Sequence, residues 1–225
     1  MGAELRTSII VDYQNVHLTG HGLFESTRDL GRHETLIDPL LFATRLLQVR
    51  NARKPAAMPQ AVLRRVQVFR GHPSVDHDPD GYARNLAQQA HWERDRRVQV
   101  TLRPLKYEYE RAADGKPATD HAGKRIVKGK PKEKGVDVMC ALAAVRAAAD
   151  PATDLVILAT SDSDLIPVLD EVLDLKAARI ETFNWYCELK RKGFQLWPTD
   201  RSIRIWNTRL NETAFRATWD PTQYD

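Results

Sequence analysis

The chain has 225 residues, is 42% hydrophobic and carries a net charge of +4. That length suits one α/β domain with extensions, and the apolar share is enough to bury a core, which excludes wholesale disorder. No apolar run reaches the roughly 18 residues of a membrane helix, and no basic-then-apolar stretch opens the chain, so neither a membrane span nor a signal peptide is expected. Cys140 and Cys187 stand alone without ligand or redox spacing, as in a cytoplasmic protein with reduced thiols.

In chain order, Ser8 to Val11 reads as a buried first strand ending at Asp12. Tyr13 to Glu34 reads as a polar loop. Asp38-Pro39 is an N-cap followed by proline in the first turn, and starts a helix that continues through Leu46 and Leu47. Residues 51–60 read as a loop, Leu63 to Phe69 as a second strand, Gly81 to Arg96 as a helix and Val98 to Leu102 as a third strand. Lys106 to Arg111 and Arg125 to Lys128 form the arms of an expected hairpin around the turn Asp114-Gly115-Lys116-Pro117. Lys134 to Ala149 is alanine-rich and helical. Leu155 to Ala159 is a buried strand, Leu165 to Leu175 an amphipathic helix, Arg179 to Phe183 a strand and Ile203 to Trp206 a last short strand. Strands alternating with helices predict a three-layer α/β/α fold with a mostly parallel sheet.

Ligands in such sheets bind beyond the carboxyl ends of the strands. Asp12 follows the first strand, Asp162 and Asp164 follow the strand at Leu155, and Asp137 lies near the start of the alanine-rich helix. Taken singly, an aspartate after a strand is usually a turn residue or a cap. Four carboxylates converging on one cleft repel one another by several kcal/mol unless a cation offsets them. Oxygen donors without thiols favour Mg2+ or Mn2+.

These segments resemble the NYN domains, a branch of the PIN-like nucleases that includes the LabA-like proteins. The resemblance rests on Val11-Asp12-Tyr13-Gln14-Asn15-Val16, on Lys134-Gly135-Val136-Asp137-Val138 and on Ser161-Asp162-Ser163-Asp164-Leu165-Ile166-Pro167, in that order. It spans about residues 6 to 185. This places a nuclease domain at 1–190, with a basic hairpin insert at about 104–132, and leaves 191–225 as a C-terminal extension. The family often has Ser-Gly-Asp where this chain has Thr160-Ser161-Asp162, and phenylalanine at the position of Leu165; neither departure removes a ligand. The resemblance implies a PIN-like fold and metal-dependent RNA cleavage. It puts the acids on Asp12, Asp137, Asp162 and Asp164 and the asparagine on Asn15. Asp12 and Asp162 are the expected principal ligands of Mg2+ or Mn2+. Asp137 is the expected orienter of a water, and Asn15, Thr160 and Ser161 are expected to position metal waters or phosphate.

The basic run Lys124, Arg125, Lys128, Lys130, Lys132 and Lys134, offset only by Glu133, leads directly into Asp137. It is the expected guide for RNA, single strands included, with Tyr107 and Tyr109 available to stack on bases. A solvated charged face and a hairpin packed on the body explain the same residues equally well. A non-catalytic RNA-binding or regulatory module is the alternative function. An aspartyl phosphotransferase is disfavoured because Gln14 stands where a second aspartate is needed, and a Rossmann enzyme because no glycine-rich turn follows the first strand. Asp76, Asp78, Asp80 and Gly81 imitate a calcium loop, but Pro79 intrudes and Ala87 occupies the bidentate glutamate position.

Overall fold

The computed structural model describes residues 4–25, 30–113 and 115–224. Its elements are β1 (Leu5–Asp12), α1 (Tyr13–Phe24), α2 (Pro39–Arg53), β2 (Ala61–His72), α3 (Pro79–Trp92), β3 (Val98–Pro104), α4 (Val136–Ala149), β4 (Leu155–Ala159), α5 (Ile166–Leu175), β5 (Arg179–Trp185), β6 (Asn207–Leu210) and α6 (Glu212–Arg216), with single 3-10 turns at Arg32–Thr35 and Ser163–Leu165. The six strands form one sheet in the order β3-β2-β1-β4-β5-β6, and every neighbouring pair is parallel.

Period-two alternation along the strands divides the core into two layers. Ile9, Val11, Val66, Val68, Ile157 and Phe183 pack with α1, α2 and Trp92 of α3. Ile10, Phe69, Val156, Leu158 and Ile180 pack with α4 and α5. The fold is therefore three-layered, α/β/α. Because the strand order reverses at β1, the crossovers on its two sides fall on opposite faces. That opens a crevice between the carboxyl ends of β1 and β4.

The structure corrects several element boundaries. Tyr13 to Phe24 is helical, not the start of a loop. Its inward positions are Tyr13, Val16, His17, Gly20, Leu23 and Phe24. A histidine and a glycine interrupt the apolar stripe, which conceals the helical period. His17 is buried, and both it and His21 meet the Thr35 hydroxyl, at 3.2 and 3.0 Å. Helix α2 continues to Arg53, and the last strand is 207–210 instead of 203–206. The segment 191–225 is no separate extension: β6 joins the sheet beside β5, and α6 buries Ala214 and Phe215 in the core. Asp78, in the calcium-like run, caps α3 by accepting from the Gly81 N–H at 2.8 Å.

Gly20 sits against the aromatic cluster of Phe24, Phe42, Phe183, Trp185 and Phe215. A methyl group there would lie 2.5 Å from the Phe215 ring and 3.1 Å from Trp185 Nε1, whose N–H is held by the Val16 carbonyl. Alanine favours a helix over glycine by about 1 kcal/mol, but overpacking costs about 1–3 kcal/mol. Gly20→Ala is therefore expected to lower the midpoint of urea denaturation, and an unchanged or higher midpoint would show that the ring cluster yields.

The insert between β3 and α4 is more folded on itself than a simple hairpin. Tyr109 pairs with Val127, joining the two expected arms, and Lys106 pairs with Lys132, beyond the expected end of the second arm at Lys128. A third stretch also pairs with both arms, through Arg111 with Pro117 and Thr119 with Arg125. Ala118 N–H donates to Glu110 O, Ile126 N–H to Ala118 O and Glu110 N–H to Ile126 O, which closes a ring of three backbone hydrogen bonds. Of the expected turn, Asp114 lies outside the described residues, and Gly115 takes φ +80°, which suits glycine. Among the described residues no helix is long and apolar enough to cross a membrane.

Candidate acidic site at the β1–β4 crevice

Asp12 is the last residue of β1 and the N-cap of α1. A short polar side chain at this junction satisfies an orphan helical N–H, and here Oδ1 accepts from Asn15 N at 3.4 Å. The other oxygen accepts from the Thr160 hydroxyl at 3.1 Å, across the crevice from the end of β4. Thr160 Oγ1 in turn accepts from Asp162 N–H at 3.0 Å, and the Asn15 side-chain oxygen accepts from Ser161 N–H at 2.7 Å. Beyond the last ladder pair, Val11 with Ala159, the two strand ends are thus tied by side chains. Asn15 and Thr160 each link the β1–α1 junction to the turn after β4. Thr160 is fully buried with its hydroxyl committed to Asp12, so the expectation that it meets phosphate or metal water is corrected. Ser161 is half-buried beside it.

An open cleft of about 390 Å3 lies over this junction, lined by Asp12, Gln14, Asn15, Leu18, Thr19, Glu133 and Asp162. The structure brings Asp12 and Asp162 together in it. Asp137 is half-buried in the first turn of α4, and Asp164 is exposed beyond the crevice; neither lines the cleft. Asp162, not Asp164, caps the 3-10 turn, accepting from Asp164 N–H at 3.0 Å. Among the described residues, the possible ligands that approach within 4.8 Å of one another as a trio are Asp38, His91 and Asp220, not the four aspartates.

Glu133 is the acid the sequence concealed. It stands among lysines and reads as their counter-charge, yet its carboxylate turns inward and accepts from Gly71 N–H; with the Gln14 amide oriented so that its nitrogen faces Glu133, that nitrogen donates to Oε2 at 2.9 Å. Gly135, at φ +78°, makes the turn that carries the chain from Glu133 into α4. The signal for Glu133 was its place just before the Lys134-Gly135-Val136-Asp137 segment.

Burial lifts the Asp12 carboxyl to about 6; the Asn15 N–H and Thr160 hydroxyl oppose this, while Glu133 and Asp162 add to it. Burial also raises Glu133, against the Gly71 N–H and the Arg70 charge. The Cys140 thiol is raised by burial and then by Asp12, Asp137 and Glu133, which places Asp137 in the field of the same acidic group. The donors are hard oxygens with excess negative charge, a set that suits Mg2+ or Mn2+ and not a thiophilic ion.

The basic run lies on the surface of the insert. Lys124, Arg125, Lys128, Lys130, Lys132 and Lys134 are all exposed. Lys132 pairs with Glu108 at 2.8 Å, and the Arg125 guanidinium lies 5.5 Å from the centre of the Tyr109 ring. Tyr107 and Tyr109 are half-buried against His77: the Tyr107 ring is 4.5 Å away, and the Tyr109 hydroxyl is 3.1 Å from Nε2. Their packing on the loop after β2 makes them a mount for the insert.

No family model matches the chain, and no curated protein matches it in sequence. A crystal structure of a protein of unknown function from Vibrio parahaemolyticus is similar over 81% of this chain and 84% of that one, with 19% sequence identity and a TM-score of 0.42. A likeness at that level carries no functional argument.

Proposed function

We propose that this chain is a metal-dependent ribonuclease of the PIN-like type, which hydrolyses RNA phosphodiester bonds at the β1–β4 crevice. The observation that carries this reading is the meeting of Asp12 and Asp162 from the two strands flanking the sheet's reversal, with Glu133 brought in from the insert side as a third carboxylate. Asp12 and Asp162 would hold one or two Mg2+ or Mn2+ ions, with Glu133 as a further oxygen donor and Asp137 and Asp164 at the rim. When bound, the ion lowers the pKa of a coordinated water and polarises a phosphoryl oxygen. Asn15 and Thr160 keep the carboxylates aligned. In-line attack by water breaks the P–O3′ bond, leaving a 5′-phosphate and a 3′-hydroxyl.

The test is a panel of RNAs and single-stranded DNAs incubated with Mg2+, Mn2+ or EDTA, alongside the Asp12→Asn variant. Metal-dependent RNA cleavage that vanishes in the variant supports the reading. Equal cleavage by wild type and variant, with contaminating nuclease excluded, overturns it. The exposed insert would serve non-catalytic RNA binding just as well, and RNA affinity without turnover would assign the chain to that second class.

Lys128 and Lys130 are exposed without a carboxylate partner among the described ion pairs, and Lys128 stands beside Arg111 and Tyr109. Each phosphate contact adds about 0.7 to the slope of log affinity against log salt for a single strand. Lys128→Glu with Lys130→Glu is expected to weaken RNA binding and flatten that slope by about 1–2. An unchanged slope in a fluorescence-anisotropy titration would remove the insert from the RNA path.

A further inference from the structure

Away from the crevice, three side chains with metal-binding chemistry meet where the C-terminal segment crosses the helices. Asp38 is the N-cap of α2, His91 lies in the last turn of α3, and Asp220 follows α6. Each offers one ligand atom, and the three atoms lie within 4.8 Å of one another. All three residues are half-buried. They come from distant parts of the chain, and backbone pairing brings them together. Ile37 bridges Trp219, Asp38 N–H donates to Thr218 O at 2.9 Å, and Asp220 N–H donates to Leu36 O at 2.7 Å.

Groups outside the trio already hold its members in place. Asp220 Oδ2 accepts from Trp92 Nε1 at 2.7 Å and from the Tyr224 hydroxyl at 2.6 Å, and Oδ1 accepts from Thr222 N–H at 2.9 Å. Asp38 Oδ1 accepts from Leu41 N–H at 2.8 Å. The Thr222 hydroxyl lies 3.1 Å from His91 Nε2. A hydrogen-bonding partner of this kind orients a metal-bound imidazole, and Thr222 is the residue placed to orient the His91 ring.

Among the described residues no arginine or lysine forms an ion pair with Asp38 or Asp220.

We infer that Asp38, His91 and Asp220 form a second metal site, for a divalent transition ion of the Zn2+ class. Mixed imidazole and carboxylate donors suit Zn2+, whereas Mg2+ and Ca2+ favour oxygen alone. Three protein ligands leave a position to water. The ion would clamp residues 218–224 to the start of α2 and the end of α3. This inference is independent of the ribonuclease reading, because none of its residues lines the acidic cleft.

The test is a calorimetric titration of the chelator-treated full chain with ZnCl2, in wild type and in the Asp162→Asn background that disables the cleft. One equivalent of zinc is expected in the Asp162→Asn background, and wild type is expected to take up that equivalent with any further zinc confined to the cleft. Uptake is expected to be lost in His91→Gln and Asp220→Asn and weakened about tenfold in Thr222→Val, and MgCl2 is expected not to compete. Zinc is also expected to raise the melting temperature of wild type but not of His91→Gln, since only an ion bound to the folded state stabilises it. Circular dichroism identifies any variant that fails to fold; His91→Gln decides if Asp220→Asn does. Absence of saturable zinc uptake by wild type, or undiminished uptake by folded His91→Gln, overturns the assignment and leaves a hydrogen-bonded anchor for the C-terminal segment.

Discussion

Asp12→Asn is expected to abolish metal-dependent RNA cleavage and, in metal-free buffer at pH 8, to make the protein more stable. The two outcomes share one cause. Asp12 is 6% exposed, and its carboxyl is lifted from the usual 3.8 to about 6 by burial, with Glu133 and Asp162 adding repulsion. The folded chain therefore holds this proton more tightly than the unfolded chain does. Stability from this group is fully present below about pH 3.8 and is lost as the pH rises through about 6. At pH 8 the ionised carboxylate costs up to about 3 kcal/mol, converted at about 1.4 kcal/mol per pH unit. Asparagine is never charged and still offers an oxygen to Thr160 or Asn15. The variant's gain in urea denaturation should be small at pH 4 and full at pH 8. Mg2+ should close the gap by stabilising wild type alone. A variant less stable than wild type at pH 8 would contradict the electrostatic account, and a variant that still cleaves would contradict the catalytic one. A site that is destabilising until a cation arrives is the usual trade between stability and activity.

Arg50→Met is expected to give the largest loss of stability of any single charge removal. Arg50 is fully buried in α2, and its guanidinium meets Glu181 of β5 through Nε at 3.0 Å and Nη2 at 2.6 Å. Its remaining nitrogen donates to the Pro59 carbonyl at 2.8 Å and the Asn51 side chain at 3.1 Å. Asn51 also exchanges two hydrogen bonds with Ala61 at the start of β2. One side chain thus fixes the end of α2 to β5 and to the entry of β2. Removing it strands the Glu181 charge, which is 2% exposed, at a cost of about 3–5 kcal/mol. The double variant Arg50→Met, Glu181→Leu should recover most of that loss, because an apolar pair carries no desolvation penalty. A loss below about 1 kcal/mol for Arg50→Met would show that water reaches Glu181.

How much of this was legible in the sequence depended on whether the local pattern carried the information. Leu155 to Ala159 is five apolar residues without interruption, and the strand has those bounds because all five are buried. Asp12 and Asp162 were readable because each ends or follows such a strand, and the sheet order brings the two ends together. Helix α1 was hidden because His17 and Gly20 occupy buried positions that an apolar count does not score. Glu133 was masked by flanking lysines, since charge runs record composition but not which side chain a left-handed glycine two residues on will turn inward. Asp38, His91 and Asp220 share no motif; their proximity follows from the bridge between Ile37 and Trp219, which no local spacing encodes.

The position of β6 has a consequence for how the chain behaves outside its native state. Strand β5 is buried along six of its seven residues, and through Thr182 to Trp185 its outer side is paired with β6. If the last segment peeled away, those backbone groups and the apolar flanks of Phe183 and Trp185 would become a template for strands of other molecules. Residues 207–210, short and carrying the exposed Arg209, therefore act as a guard against self-association as well as a sixth strand.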